Sequence, residues 1–297
     1  MEYVASQAIS GLILGSIYAL MAVGLALIFS ILNVINFAHG EFYMVGGYLF
    51  YYLFTLIKLP PTLALFLSIF TVFLLGALFE FSFIRPMLFP GRVQRPAEYA
   101  LLITFGLAIF LQNLALGIFG PFPKRPPDLV KGYTTFGPAT INNQRLMVGG
   151  IAIGLIMTLV IVIYKTWIGK ALRAVSQDKE AAAASGINPF RMNTIAFGIG
   201  TALAAAAGAL IAPIYAVVPD AGVAPAIRSF VIIVLGGMGS IGGAIVGGLI
   251  IGEVSSLSVA LIADMTRASA YKDVWGLLIF ALILLLKPTG LFGHQKQ

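Results

Sequence analysis

Four polar side chains lie close together in a part of the chain that is otherwise apolar. They are Asn33, Asn36, His39 and Glu41, and no Asp, Glu, Lys or Arg occurs from position 3 to position 40. Ionisable groups inside a bilayer cost about 3 kcal/mol or more and usually line a pathway, so the cluster could form a polar lining or a hinge beside one. Alternatively, Asn33 or Asn36 caps the next helix, and Glu41 lies in its first turn at the membrane surface. His39 by itself is more typical of a packed, hydrogen-bonded residue than of a proton relay.

A second set of residues with a distinctive spacing lies in the polar segment 166–191. The segment reads TWIGKALRAVSQDKEAAAASGINPFR, and its positive side chains outnumber the negative ones. Here Ser176 or Asp178 can accept hydrogen bonds from the first backbone N–H groups of a helix. Glu180 then lies in the first turn, where its charge suits the helix dipole, and the alanines at 181–184 strongly favour helix. The segment therefore predicts a short helix between two membrane spans.

The end of this short helix is also marked in the sequence. Gly186 can take the left-handed conformation that ends a helix, and Asn188 can cap a following helix that begins at Pro189. Because the alanine-rich helix has little side-chain bulk, a groove of another protein can approach its backbone closely. We therefore expect a docking surface for a partner protein at Lys179, Glu180, Ala181, Ala182, Gly186, Asn188 and Pro189.

A glycine-rich stretch, GGMGSIGG, interrupts the apolar sequence at positions 236–243. A phosphate-binding loop needs Gly-Lys-Ser or Gly-Lys-Thr before a helix, and the absence of a lysine here argues against nucleotide binding. Glycines spaced four residues apart favour close packing of membrane helices instead. We predict a short half-helix, a glycine break and then a full span, with tight packing at Gly236, Gly239, Gly243 and Gly247.

The composition explains why polar residues are so few. The 297 residues are 60% hydrophobic and 10% charged, whereas soluble proteins have ~25% charged residues. The net charge of +7 comes from basic residues in short loops, which indicates membrane topology rather than a nucleic-acid partner. Cysteine is absent and His39 and His294 are the two histidines, so we expect neither a metal site nor a cofactor in this chain. No catalytic triad or carboxylate pair stands out, so we expect no enzyme.

Long uncharged runs predict the elements that hold these residues. A membrane-crossing helix needs about 20 apolar residues, and the runs predict an all-α, polytopic helical membrane protein with about eight transmembrane helices plus a possible half-helix. We expect one transmembrane domain over 1–297, with 166–191 as a loop within it. The expected spans are 6–29, a second ending near Leu56, 62–84, 99–119, 146–164, one from about Phe190, the 229–263 region and 274–286.

Basic residues predict the direction of the crossings. They place on the cytoplasmic side the segment 166–191, the loop after the third span and the C-terminal tail, through Arg85, Arg92, Arg95, Lys287 and Lys296. The long connection 120–145 is rich in proline. By parity it lies outside, as does the N-terminus, although this connection carries Lys124, Arg125, Lys131 and Arg145.

Two further acidic residues, Glu80 and Glu253, lie in or beside the apolar runs. Glu80 lies about one helical turn from Arg85 near the inner surface, so we expect a local ion pair. Glu253 is the acid of the 229–263 region, and it either is a buried pathway residue or reaches the outer surface.

The residues around the polar cluster resemble a known family. Positions 24–48 contain GLALIF, NVINFAHGEF and MVGGY, which closely resemble the amino-terminal signature of LivH-type branched-chain amino-acid permeases of ABC importers. The EAA-xxx-G spacing from Glu180 to Gly186 is similar to the cytoplasmic loop by which ABC importer permeases dock on their ATPase. The Ile-x-Leu-Pro continuation of that loop is absent, and Ile187-Asn188-Pro189 comes early instead.

The resemblance implies an ABC importer permease fold in a bacterial inner membrane, without a nucleotide site of its own. It also implies a second homologous permease subunit, two cytoplasmic P-loop ATPases that hold ATP and Mg²⁺, and an extracytoplasmic binding protein that delivers leucine, isoleucine or valine. The mechanism implied is alternating access, transmitted through the helix between Lys179 and Gly186. Related permeases carry urea or short amides, which is one alternative. The other is an ion-coupled secondary transporter with Glu41 and Glu253 as coupling sites, which the scarcity of membrane acids disfavours.

Overall fold

The structure, a computed structural model, describes residues 2–89, 94–137, 139–261 and 265–293. Some positions that carry predictions lie outside the described residues, namely Arg92, His294, Lys296 and the end of the 229–263 region. The described helices are α1 (Glu2–Leu32), α2 (His39–Tyr51), α3 (Pro61–Phe79), α4 (Pro96–Phe119), α5 (Asn143–Lys165), α6 (Trp167–Gln177), α7 (Lys179–Ala184), α8 (Pro189–Ile211), α9 (Val223–Gly236), α10 (Ile241–Leu261) and α11 (Met265–Leu286).

The prediction of an all-α membrane protein is confirmed. Six described helices, α1, α3, α4, α5, α8 and α10, are long and apolar enough to cross a bilayer. One π-helical turn, Tyr52–Leu56, lengthens α2, and another, Glu80–Ile84, lengthens α3. Three shorter helices, α2, α9 and α11, accompany these six, so the predicted number of about eight spans plus a half-helix is approximate. The described strands form one short antiparallel hairpin, β1 (Tyr133–Phe136) and β2 (Ala139–Asn142).

Helix α1 lies at the centre of the bundle and packs antiparallel against α10. A Cβ on Gly252 would lie 2.2 Å from the Cα of Gly15, and one on Gly248 would lie 2.5 Å from the Cα of Ala19. Apolar lipid gives helices little hydrophobic reason to associate, so small residues that let backbones touch do most of the packing. The small residues of α1 and α10 therefore form the contact faces of these two helices.

Helix α8 crosses α1 by the same kind of contact. A Cβ on Gly24 would lie 2.5 Å from the carbonyl oxygen of Gly200, and a Cβ on Gly200 would lie 2.6 Å from that of Gly24. Both helices are mostly buried inside the bundle, whereas α4 is largely exposed on its outside. The contact fixes α8, which begins at Pro189 within segment 166–191, against the centre of the molecule.

The ends of α1 define two opposite faces of the bundle. The backbone N–H of Thr140 in β2 donates to the Ser6 hydroxyl at 3.2 Å, so the hairpin lies beside the N-terminus. Helix α5 runs parallel to α1, because Gly149 packs against Ile13 near the start of both, and α6 and α7 therefore follow at the opposite face. The connection before α5 and the segment 166–191 thus lie on opposite sides, as the parity argument predicts.

Two helices begin inside the bundle rather than at its surface. The His39 Nε2 atom lies 3.0 Å from the Met21 carbonyl oxygen, so α2 starts beside the middle of α1. The N-cap of α9, Gly222, touches the same place, since a Cβ there would lie 2.2 Å from the Gly40 carbonyl oxygen. The order of a long buried helix, an irregular inward segment and a shorter helix thus occurs twice, although the sequence shows no long repeat. Irregular backbone at this depth requires burial in protein.

The half-helix and the glycine break are as predicted, but α9 begins at Val223 rather than near Ser229. The expected start near Ser229 followed from the charge of Arg228, because a charge usually ends an apolar run. In the structure the Arg228 guanidinium donates to the Tyr18 hydroxyl and lies over the Tyr18 ring at 5.2 Å, which accommodates the charge within the helix. Helix α11 likewise begins earlier than expected, at Met265 rather than Val274.

The glycines of the break meet each other across the turn. A Cβ on Gly243 would lie 2.1 Å from the Gly236 carbonyl oxygen, and a Cβ on Gly247 would lie 3.1 Å from that of Ile232. Gly239 does not pack tightly as predicted. Glycine is favoured there because the backbone φ is +84°, whereas a Cβ would have only ordinary contacts. The C-terminal tail closes the turn, since the N–H groups of Leu291 and Phe292 donate to Leu235 and Gly236 at 2.8 and 3.0 Å.

Gly243→Leu is expected to separate α9 from α10 and to lower the yield of folded protein. Overpacking of this kind costs about 1–3 kcal/mol, and the clash here is with backbone, which cannot turn away. Gly242→Leu is the matched control, because nothing lies within 4 Å of a Cβ at that position. Fluorescence-detected gel filtration after heating should show a lower melting temperature for Gly243→Leu alone. Equal yields and melting temperatures for the two variants would contradict the close-packing interpretation.

Candidate functional site

Segment 166–191 folds into two helices instead of the single short helix predicted. The additional helix, α6, begins after Thr166, whose hydroxyl accepts a hydrogen bond from Gly169 N at 3.2 Å. Its buried side is formed by Gly169, Ala171, Leu172 and Val175. The helical spacing of apolar residues after Thr166 is a sequence signal for α6, and the prediction of a single short helix did not include it. Helix α6 holds the loop against the ends of α1, α5 and α8.

Asp178, rather than Ser176, is the cap of α7. Its Oδ1 atom accepts hydrogen bonds from the backbone N–H groups of Glu180 at 2.8 Å and Ala181 at 3.0 Å. The Ser176 hydroxyl donates backwards to the Arg173 carbonyl oxygen at 2.8 Å and so belongs to the end of α6. The sequence offered both residues as caps, and the structure selects one.

Gly186 ends α7 as predicted. Its φ is +84°, and its N–H donates to Ala183 O while Ile187 N donates to Ala182 O, both at 3.0 Å. This pair of bonds is the Schellman arrangement, which satisfies the last carbonyl groups of a helix and favours glycine. Ile187 then packs on the core. Asn188 caps α8 by accepting from Arg191 N at 3.1 Å, with Pro189 in the first helical position.

Helix α7 presents a low-relief surface to solvent. Ala182 is 4% exposed and anchors the helix, while Glu180, Ala181, Ala183 and the Ala184–Gly186 turn are exposed. Lys179 is half-buried, and this burial lowers the pKa of its ammonium group. The surface has one exposed acid among methyl groups, so it can bind a partner closely by shape and by one charge. It has no arrangement suited to covalent chemistry.

Three of the four residues in the predicted polar cluster come together inside the bundle. Asn36 and His39 are fully buried and Glu41 is 5% exposed. Asn36 Oδ1 accepts from Ala38 N at 3.1 Å, and His39 Nε2 meets Met21 O. Each residue also carries one buried atom without a hydrogen-bond partner, namely Asn36 Nδ2, His39 Nδ1 and Glu41 Oε2. Unmet polar atoms of this kind are costly and usually mark a functional requirement.

Asn33 is separate from the other three. It is exposed, has a φ of +56°, and its N–H donates to Phe29 O at 2.9 Å, so it ends α1. The alternative that Asn33 or Asn36 caps α2 is wrong, because the N-cap is Ala38 and no side chain bonds to the first turn. Glu41 does lie in that first turn, but inside the bundle instead of at its surface.

The expected ion pair between Glu80 and Arg85 is also wrong. Glu80 is fully buried in the π-helical turn after α3 and accepts a hydrogen bond from the Thr194 hydroxyl of α8. The Arg85 guanidinium instead lies over the ring of Phe190, 5.4 Å from its centre. Local sequence spacing could not predict that Glu80 bonds to Thr194, which is more than one hundred positions away. Glu253 packs on Gly11, near the N-terminal end of α1.

The chain is similar to proteins of a known transport family. Residues 7–286 match a family model described as a branched-chain amino acid transport system permease component. The high-affinity branched-chain amino acid transport system permease protein LivH of Escherichia coli K12 is 33% identical over 304 residues, covering 99% of this chain and 97% of that protein. BraD, the corresponding Pseudomonas aeruginosa permease protein, is 32% identical, with 98% and 96% covered. A probable LivH of Methanocaldococcus jannaschii is 30% identical, with 95% and 90% covered. No solved structure matches.

Asp178→Ala is expected to loosen α7 without disturbing the bundle. Loss of a cap costs about 1 kcal/mol, which corresponds to roughly fivefold faster exchange of the amides it protects. Hydrogen–deuterium exchange over residues 178–187 measures the effect, with Ser176→Ala as the control. Faster exchange after Ser176→Ala, or unchanged exchange after Asp178→Ala, would mean that the cap is misassigned.

Proposed function

Since this chain belongs to the permease family of branched-chain amino acid transport systems, we propose that it is the membrane-spanning permease of an ATP-driven ABC importer for these amino acids. The observation that carries the proposal is the capped, low-relief helix α7 on the face opposite the hairpin. Such a surface suits an ATPase subunit that docks closely on the permease. The family membership favours this function over transport of urea or short amides and over ion-coupled transport.

The chain is one component of a transport system with other components. The partners that fit are a second homologous permease, two cytoplasmic P-loop ATPases that bind ATP and Mg²⁺, and an extracytoplasmic binding protein. The chain would form a single transmembrane domain in a bacterial inner membrane, with 166–191 as its coupling loop. Helices α6 and α7 would then face the cytoplasm, and the N-terminus and hairpin would face outside.

A movement of α7 has a short route into the bundle. Between Gly186 and the first residue of α8 stand only Ile187 and Asn188, so the link between the two helices is short. Helix α8 contacts α1, α2 and α3, and its first turns hold α3 through Thr194 with Glu80 and through Phe190 with Arg85. Closure of an ATPase dimer around α7 would therefore tilt α8 and the inner end of α3 together. Such rigid-body tilting is a common basis of alternating access.

The translocation route would pass the place where α2 and α9 begin. Asn36, His39 and Glu41 lie there with unmet hydrogen-bonding atoms, and the close approach of Gly40 and Gly222 joins the two helix starts. Because each start depends on contacts with its neighbour, a small rotation of α8 can expose or bury the polar atoms. Substrate selection would fall mainly to the binding protein, with leucine, isoleucine and valine as the expected cargo.

Replacing Glu180 with Lys, or Gly186 with Leu, should uncouple ATP hydrolysis from uptake in the complex purified through this chain. Charge reversal and added bulk on the docking surface should each lower leucine uptake by about tenfold or more, while the bundle still folds. Proteoliposome uptake of labelled leucine, ATP hydrolysis and the co-purification of two ATPases are measured together. Gly186→Asn is the control, because asparagine tolerates the left-handed conformation. Normal ATP-driven uptake in both test variants would reject the docking assignment.

Glu41→Gln tests the proposed route. The amide keeps the shape of the side chain but cannot ionise, so a purely packing role predicts no change. A role in the route predicts at least about tenfold slower uptake with normal assembly, since mid-membrane charges are retained mainly for function. Glu98→Gln, at an exposed acid of α4, is the control. Uptake at the wild-type rate by Glu41→Gln would remove this residue from the route.

A further inference from the structure

A polar cavity of about 200 Å³ lies at the hairpin end of the bundle, between α1, α5, α8 and α10. We refer to it as the outer pocket. Its lining includes Arg145, Ser10 and Ser255 together with aliphatic side chains such as Ile13, Ile17 and Ile214. The pocket thus combines one cation and hydroxyl groups with a branched apolar wall inside a single chain.

Arg145 has no hydrogen bond or ion pair within the part of the chain that the structure describes. Its neighbour Arg125 shows the contrast, since it donates to Pro213 O at 2.9 Å and to Asp128 at 3.3 Å. Asp128 borders the small pocket next to Arg145, but it is already engaged with Arg125. A half-buried guanidinium without a counter-charge is unfavourable, and an anion in the outer pocket would offset that cost.

The position of Arg145 on its helix strengthens this argument. Arg145 lies in the first turn of α5, where the helix dipole is positive and a cation is disfavoured. The same helix end favours a bound anion. A guanidinium binds a carboxylate or a phosphate in two-pronged geometry, and the aliphatic lining of the pocket favours a small organic carboxylate. The site therefore points to a carboxylate next to an aliphatic surface.

We propose that the outer pocket is an entry subsite for an aliphatic α-amino acid. Arg145 binds the carboxylate, the hydroxyls of Ser10 and Ser255 accept from the ammonium group, and the branched side chain packs on the isoleucines. The proposal rests on the proposed function and adds a substrate-binding site within this subunit. Ser255 also borders a second, apolar cavity of about 250 Å³ near Ile227 of α9.

The test compares L-leucine with L-leucinol, which has the same side chain and ammonium group but no carboxylate. Each is added to the complex purified through this chain in nanodiscs of zwitterionic lipid. Binding is followed by saturation-transfer NMR on the methyl protons. We expect the wild type to bind L-leucine about tenfold more tightly, because a charge-assisted pair is lost with L-leucinol. Arg145→Gln should abolish the preference, and Arg145→Lys should keep part of it.

Lys131→Gln is the matched control, since it removes a positive charge from the same face of the protein but outside the outer pocket. It should keep the wild-type preference. Equal affinity of the wild type for both compounds, no detectable binding of L-leucine, or an unchanged preference in Arg145→Gln would overturn the proposal. Tighter binding of glycerol phosphate than of L-leucine would assign Arg145 to a lipid phosphate and would also overturn it.

Uptake measurements separate this proposal from the proposed function. If the wild-type complex takes up no branched-chain amino acid, the proposed function fails. If it takes up L-leucine and Arg145→Gln does so at the same rate, the entry subsite alone fails. Should Arg145→Gln not assemble, the comparison of Arg145→Lys with the wild type on the two compounds decides the outcome.

Discussion

Direct contact between helix backbones at glycine is the constraint on which this structure depends. In a bilayer, a leucine surface gains nothing by leaving lipid for protein, so association relies on van der Waals contact and on backbone proximity. Gly24 with Gly200 and Gly15 with Gly252 bring α8 and α10 against α1 closely enough that any larger residue would strike main-chain atoms. Because these contacts surround α1, its two neighbours cannot move independently of it. The bundle is therefore suited to tilting as a body rather than to local repacking.

The second constraint is that main-chain polar groups cannot face lipid. The irregular segments that lead into α2 and α9 are tolerated because each lies against the other and against α1. Their interdependence joins the polar cluster to the packing scheme, since His39 takes its partner from the backbone of Met21. The few unmet atoms of Asn36, His39 and Glu41 are thus located where the bundle is least regular.

Much of this arrangement could be predicted from local sequence. Uncharged runs indicated the spans, and the short-range chemistry of Asp178, Gly186 and Asn188 indicated the boundaries of α7 and α8. Features set by distant partners could not be predicted. The hydrogen bond of Glu80 with Thr194 replaced the expected ion pair, and the depth of Glu41 follows from the approach of α2 to the middle of α1. Helix α6 is an intermediate case, because its amphipathic spacing was present but short. The roles of the cluster and of the coupling surface remain predictions.

The closure of α9 by the C-terminal tail has a consequence for biosynthesis. The last carbonyl groups of α9 receive their hydrogen bonds from Leu291 and Phe292, which leave the ribosome only after α10 and α11 have been made. During synthesis these carbonyl groups of the half-helix therefore lack their protein donors until the tail has been made. Synthesis of residues 291 and 292 supplies the missing N–H donors, so the hydrogen bonding of α9 is completed late. A nascent chain truncated before Leu291 would lack these donors, and cellular quality control would then meet a half-helix whose last carbonyl groups are unpaired.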